Sequence, residues 1–145
     1  MHMSGSKKIL CVEDDAFLLS LVSGKLTENG SLVISATSGA DCIAKATSEH
    51  PDVILLDIML SDMGGFEVLE KLKGDPVTNN IPVIILSNLG GREELEKAVS
   101  LGAASYLIKS NIVPDEIADM IEVEVAKAQK KSADKEQSVS SSPQG

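Results

Sequence analysis

Charged or hydroxyl side chains directly follow four of five short apolar runs in this 145-residue chain. The first run precedes three consecutive acids, Glu13-Asp14-Asp15, and Asp57, Ser87 and Lys109 follow the third, fourth and fifth runs. Carboxylates can attack an electrophile or bind a metal, while lysine and hydroxyl groups can stabilise an anion. Each type is also common in turns and helix caps, and Asp15 in particular is a candidate N-cap. Their meaning therefore depends on whether the fold brings them together.

Asp57 is the strongest candidate because it lies inside a continuous apolar stretch, residues 53–60. Burial of an unpaired carboxylate there would cost several kcal/mol, so a cationic partner is required. Lys109, which directly follows Leu107 and Ile108, is the expected partner. Three carboxylates and one lysine in one crevice would leave excess negative charge. A hard divalent cation with oxygen ligands would neutralise it, and Mg²⁺ fits best.

The elements that must position these residues alternate between strand and helix. Five runs have the length and β-branched content of strands, and several are apolar at consecutive positions, as in strands covered on both faces. These are residues 8–12, 32–35, 53–56, 82–86 and 105–108. Helical patterns separate them, so we predict an α/β fold with a doubly wound, five-stranded parallel sheet, flavodoxin-like, in strand order 2-1-3-4-5. In such sheets ligands bind beyond the carboxyl ends of the strands.

Composition limits the ligands this chain can bind and indicates its location and domain boundaries. The formal net charge of −9 argues against binding of nucleic acid or anionic membrane by this chain alone. No apolar run is long enough to span a membrane and no signal peptide is recognisable, so a cytoplasmic location is expected, with Cys11 and Cys42 reduced. Residues 1–6 are typical of a vector-derived extension, residues 7–128 form the predicted domain, and residues 129–145 are predicted to be a disordered tail or linker.

Taken together, the motifs resemble the response-regulator receiver domains of two-component signalling. The matching residues are the pair Asp14-Asp15, Asp57, Gly65, Ser87, Gly102-Ala103 and the segment Tyr106-Leu107-Ile108-Lys109. The resemblance covers about residues 7–127. It implies a phosphorylation-dependent switch that receives its phosphoryl group from a histidine kinase or phosphotransfer protein and acts on a downstream effector. It also implies a protein that catalyses only its own phosphorylation and dephosphorylation, is monomeric before phosphorylation, and can dimerise when activated.

The resemblance further implies a role for each site residue. Asp57 would be the nucleophile that forms an acyl phosphate, with Lys109 and the Ser87 hydroxyl binding phosphoryl oxygens. Ser87 and Tyr106 would then switch the face formed by the fourth helix, fifth strand and fifth helix. The implied ligands of Mg²⁺ are Asp14, Asp15, Asp57 and the backbone carbonyl of Met59.

Several residues depart from the family pattern without removing a group that does chemistry. Ser61 replaces a usual proline, Gly64 a usual acid or amide, and Asn88 a usual alanine. Lys109 is followed by Ser110 where the family usually has proline, often after a cis bond. Because a cis bond before a non-proline residue costs about 2.5–4 kcal/mol, we predict a trans Lys109-Ser110 peptide.

Two other functions remain open from the sequence. A metal-dependent phosphatase with an aspartyl nucleophile typically has a second acid two residues later, but this chain has Met59 there. A binding module that keeps the fold without being phosphorylated is favoured by the altered loops and opposed by the complete acid and lysine set.

Overall fold

Strands and helices alternate along the chain, as the sequence predicts. The computed structural model describes residues 7–88, 90–111 and 113–141, and the side chains of the last helix as far as residue 131. The elements in chain order are β1 (Lys8–Val12), α1 (Ala16–Glu28), β2 (Leu32–Ala36), α2 (Gly39–Glu49), β3 (Val53–Asp57), α3 (Gly65–Gly74), β4 (Val83–Ser87), α4 (Arg92–Ser100), β5 (Ser105–Ile108), a 3₁₀ turn (Lys109–Asn111) and α5 (Pro114–Ser141).

The five strands form one parallel sheet in the order β2-β1-β3-β4-β5, which confirms the predicted fold class. The chain runs outward from β1 to β2 and then crosses back to β3, so the winding direction reverses between β1 and β3. In register, Asp57 lies beside Leu86, and Ser87 lies beside Ile108. The carboxyl ends of the three strands from β3 to β5 therefore meet at one rim, next to the crevice where such folds bind ligands.

Alternate strand residues face two apolar clusters, one on each side of the sheet. One cluster contains Leu10, Ile54 and Leu56 and packs against α2, α3 and α4. The other contains Ile9 and Leu55 and packs against α1 and α5. This burial on both faces explains why the strands are apolar at consecutive positions. It also gives the rim residues a rigid base, because close-packed interiors deform little.

Helix α5 continues to Ser141, beyond the end predicted at residue 128. Residues 129–141 have no apolar periodicity, which is why a disordered tail was expected. They nevertheless contain neither proline nor glycine, so nothing in this segment terminates a helix. Residues 1–6 and 142–145, assigned to the extension and to the end of the tail, lie outside the described residues. Within the described part of the chain, no helix has the length and apolar character needed to cross a membrane.

Candidate functional site

Asp57 is the last residue of the central strand β3, and its side chain is buried at the sheet rim. The residue is 2 % exposed. Its Oδ1 accepts a hydrogen bond from the backbone N–H of Met59 at 3.1 Å, and its Oδ2 lies 3.0 Å from Lys109 Nζ. The structure therefore brings the predicted cation to the predicted carboxylate. The strand fixes the backbone of Asp57, and the two contacts fix its carboxylate.

Lys109 follows β5 directly and bridges two carboxylates. Its Nζ lies 2.8 Å from Glu13 Oε1 as well as 3.0 Å from Asp57 Oδ2. Burial alone would lower the pKa of Lys109, but hydrogen bonds and charge interactions with Glu13 and Asp57 outweigh it and raise the pKa. The ammonium is therefore charged at neutral pH. The peptide to Ser110 is trans, as predicted, so this lysine reaches the site without a cis bond.

Glu13, Asp14 and Asp57 form an acidic cluster around this lysine. One ligand oxygen from each can be chosen so that all lie within 4.8 Å of one another. Glu13 is 4 % exposed, whereas Asp14 is exposed to solvent. Burial raises the pKa of Glu13, and Asp57 raises it further, against the opposing effect of the Lys109 ammonium and the Asp15 backbone N–H. The cluster thus has a buried floor and an open side through which an ion can enter.

Asp15 does not join the cluster, which brings Glu13 and Asp14, and not the predicted pair Asp14-Asp15, to Asp57. The Oδ1 of Asp15 accepts hydrogen bonds from the backbone N–H groups of Phe17 at 3.0 Å and Leu18 at 3.2 Å. It is the N-cap of α1. Because β1 ends at Val12, the next residue, Glu13, occupies the rim. The end of the apolar run at Val12 points to Glu13 as the first rim residue, but the run alone does not choose among the three consecutive acids that follow it.

The donor set of this cluster fits a hard divalent cation. Three carboxylates face one ammonium, which leaves negative charge uncompensated. Glu13 Oε1 is buried and pairs with the same Lys109 Nζ that pairs with Asp57. An oxygen-rich, partly solvated site of this kind suits Mg²⁺, which is bound in proteins through one or two carboxylates together with water.

The loop after Asp57 is folded tightly against the end of β3. Met59 and Gly64 form an isolated antiparallel bridge, and the N–H of Gly65 donates to the carbonyl of Ile58 at 2.8 Å. A β-carbon on Gly65 would lie 2.5 Å from Ile58 Cα and 2.7 Å from the Asp57 carbonyl oxygen. No larger residue fits there without moving backbone, so Gly65 is required by the close approach of α3 to the site.

Ser87 lies on β4, the strand next to Asp57, and Tyr106 lies on β5, one strand further out. Ser87 ends β4 and is fully buried at the same rim, in register with Ile108. Tyr106 is half-buried in β5, in register with Ile85, and packs against the apolar cluster beneath α2, α3 and α4. Along β4, Ser87 is therefore two residues beyond Ile85, the residue paired with Tyr106.

Neither cysteine belongs to the site chemistry. Cys11 and Cys42 are free and buried. Burial raises the pKa of each thiol to about 12, with a smaller contribution from Glu13 for Cys11 and from Asp41 for Cys42. Both thiols therefore stay protonated and act as small apolar core residues.

Comparison with protein-family models gives one family. Residues 9–122 match the model of the response regulator receiver domain. Among solved structures, a response regulator receiver domain protein (CheY-like) from Methanospirillum hungatei superposes with a TM-score of 0.80 at 27 % identity. That likeness covers 87 % of this chain and 98 % of the other.

Three curated relatives show that the matched region occurs in proteins of different length. PilH of Pseudomonas aeruginosa is 33 % identical over 102 residues, which are 70 % of this chain and 84 % of that protein. Response regulator PleD of Caulobacter vibrioides is 39 % identical over 104 residues, 72 % of this chain. This chain spans only 23 % of the length of PleD and 42 % of that of PhoP, a transcriptional regulatory protein of Bacillus subtilis. The matched region is therefore a module that occurs both in short proteins and in longer ones.

Proposed function

Because the chain belongs to the response regulator receiver domain family, we propose that it is a signalling switch whose Asp57 accepts a phosphoryl group. The observation that carries this proposal is the buried Asp57 carboxylate, held 3.0 Å from Lys109 Nζ within the cluster of Glu13 and Asp14. A structural ion pair alone would need no excess of acids. An excess at the carboxyl end of the central strands is suited to binding a cation together with an anionic substrate.

In the proposed reaction a carboxylate oxygen of Asp57 attacks the phosphorus of a phosphohistidine or of a small phosphodonor. An O–P bond forms as the bond to the leaving group breaks, and the leaving group keeps the bonding electrons. Lys109 would pair with one phosphoryl oxygen and the Ser87 hydroxyl would donate to another, so catalysis consists of positioning and charge neutralisation.

Glu13, Asp14, Asp57 and the carbonyl of Met59 are the groups that would hold Mg²⁺. When bound, the ion would offset the negative charge that gathers as the phosphoryl oxygens approach three carboxylates. Asp57 would still be oriented by the Met59 N–H, 3.1 Å from its Oδ1, and by Lys109 Nζ, 3.0 Å from its Oδ2.

The proposed output is a change at the face formed by α4, β5 and α5. Movement of the Ser87 hydroxyl toward the phosphoryl group would open space into which Tyr106 can turn, which is a two-state element biased by a local charge. The two helices of this face carry exposed apolar side chains, with Leu95 and Val99 on α4 and Val123 on α5 at 45 %, 61 % and 48 % exposure. A histidine kinase or phosphotransfer protein would be the donor, a downstream effector would bind this face, and two activated copies could pair through it in the cytoplasm.

Binding of beryllofluoride, which mimics an acyl phosphate, tests the switch. With Mg²⁺, it should shift the amide resonances of Ser87, Tyr106 and α4 in the parent and leave those of Asp57→Asn unchanged. Shifts confined to residues 57–65 in the parent would contradict the proposed output face. No shift at all would favour the second candidate, a receiver-like binding module, which the departures at Ser61, Gly64 and Asn88 support.

A further inference from the structure

The loop between β3 and α3, residues 58–64, is anchored at its tip as well as at its base. Asp62 reaches across to the first turn of α2. Its Oδ1 accepts a hydrogen bond from the backbone N–H of Gly39 at 2.8 Å, and its Oδ2 accepts one from Ala40 at 3.0 Å. These hydrogen bonds, Gly39 first, lower the pKa of Asp62, so the carboxylate is ionised throughout the neutral range.

Two features of α2 match this contact. Gly39 and Ala40 are its first two residues, whose N–H groups have no partner inside the helix. The carboxylate also lies at the positive end of the helix dipole. Ser38 satisfies a third group, because its Oγ accepts from the N–H of Asp41 at 3.1 Å. The first turn of α2 is thus capped by two residues: Ser38, which directly precedes the helix, and Asp62, which lies in the loop beside the site.

The packing around Gly39 shows that the approach is close. A β-carbon at this position would lie 2.5 Å from Met63 Cγ and 2.8 Å from Val68 Cγ2. The loop tip therefore rests on α2 through Met63 as well as through Asp62. A side chain at residue 39 would push this tip away.

This anchoring matters because, between the bridged residues Met59 and Gly64, the loop has no residue type that restricts its backbone. Ser61 stands where the family usually has proline, and Gly64 precedes Gly65. Each glycine adds conformational freedom that must be lost on folding. The same loop begins at Met59, whose N–H holds Asp57 Oδ1 and whose carbonyl is a proposed ligand of Mg²⁺.

We propose that Asp62 is a positioning residue for the site: by capping α2 it fixes the loop and, through the loop, the Met59 backbone against Asp57. The inference rests on the proposed function for its consequence, since the backbone it positions is the one assigned to the metal and the phosphoacceptor. Residues that hold a ligand in place typically affect metal affinity by an order of magnitude.

A pair of cap variants separates positioning from general stability. Asp62→Ala removes the cap that the loop supplies to α2. Ser38→Ala removes the cap that the N-cap residue of α2 supplies. Both should lower the melting temperature. Calorimetric titration should show a Mg²⁺ dissociation constant that rises roughly tenfold in Asp62→Ala and stays at the parent value in Ser38→Ala. Asp62→Asn, which keeps one acceptor oxygen, should fall between Asp62→Ala and the parent and serves if Asp62→Ala fails to fold.

An unchanged Mg²⁺ affinity in the Asp62 variants, or an equal loss in Ser38→Ala, would overturn the proposal. Amide hydrogen exchange at Gly39 and Ala40 gives an independent readout, since both should exchange faster in Asp62→Ala. If the parent itself binds no Mg²⁺, the proposed function fails, and unaltered exchange would then refute the anchor separately. Faster exchange in that case would leave a structural cap and remove the positioning role.

Discussion

Lys109 neutralises two buried carboxylates at once, so its removal leaves both of them without a positive charge. Lys109→Ala should lower the free energy of unfolding by about 3 kcal/mol, because it leaves Glu13 and Asp57 buried without a cation. Urea unfolding measures this loss. Mg²⁺ should recover more stability in Lys109→Ala than in the parent, because it would replace the missing positive charge.

The exposed pair of Arg92 and Glu96 provides a control for Lys109. Their side chains are 88 % and 70 % exposed, so Arg92→Ala should change the free energy of unfolding by less than about 0.5 kcal/mol. A loss of that small size in Lys109→Ala would show that the buried acids are protonated or solvated, and would contradict the charge arrangement described.

Asp14 and Asp15 are adjacent acids with different environments, which gives a matched test of the metal site. At Mg²⁺ tenfold above its dissociation constant, binding should stabilise the parent by about 1.4 kcal/mol. Asp15→Asn should keep this gain, since asparagine also caps a helix well, whereas Asp14→Asn should lose most of it. Thermal unfolding with and without Mg²⁺ makes the comparison, and loss of the gain in Asp15→Asn alone would restore the original pair.

The shift of this pair by one residue, to Glu13-Asp14, shows what residue types alone could not decide. Three consecutive acids after a strand offer two registers for a pair. The choice depends on where the rim ends and helix α1 begins, and this geometry is set by the sheet and not by residue type. Asp57 and Lys109 were predictable because each is a single charged group within apolar neighbours, whose burial demands a partner.

At the scale of elements, the contact between Asp62 and α2 predicts a pH dependence. The pKa of Asp62 is lowered in the folded protein, so its contribution is fully present above the unfolded pKa and disappears as pH falls through the folded pKa. The parent should therefore be more stable than Asp62→Asn at pH 7, and the difference should shrink as pH falls below the ordinary aspartate range. Urea unfolding at a series of pH values tests this, and a constant difference would contradict it.

Helix α5 has its core contacts in its first half. Ile117, Ile121 and Val125 are buried, whereas the last residues whose side chains are described, 129–131, are exposed. Truncation after Ala128 should therefore change the free energy of unfolding by less than about 0.5 kcal/mol. Truncation after Met120, which removes Ile121 and Val125, should by contrast abolish the cooperative urea transition. A large loss in the shorter truncation would place the domain boundary beyond residue 128.

Element types followed from the sequence more readily than element ends and contacts between elements. The strands were predictable because burial on both faces makes them apolar throughout, as at Ile54 and Leu55. The continuation of α5 was not, because its helical backbone in residues 129–141 rests on the lack of a terminating residue and not on an apolar stripe. The cap from Asp62 to Gly39 joins residues 23 positions apart, which no local pattern encodes.

Over the whole molecule, the excess of acidic residues affects which ligands the protein can bind. The net charge of −9 disfavours nucleic acid, and the same excess of acids at the rim favours a cation. The sheet connects the proposed phosphorylation site with the proposed output face. The acids lie at the ends of β1 and β3, Ser87 lies at the end of β4, and Tyr106 lies within β5, so a charge added at Asp57 lies within two strands of the output face.

Intact-mass measurement after incubation with acetyl phosphate and Mg²⁺ tests whether Asp57 accepts a phosphoryl group. The parent should gain the mass of one phosphoryl group and lose it on treatment with hydroxylamine, as an acyl phosphate does. The matched variant Asp119→Asn, at an exposed position on α5, should behave like the parent. Asp57→Asn should gain nothing, because its amide is not nucleophilic at neutral pH. An unmodified parent, or an undiminished gain in Asp57→Asn, would contradict the role of Asp57 as phosphoacceptor.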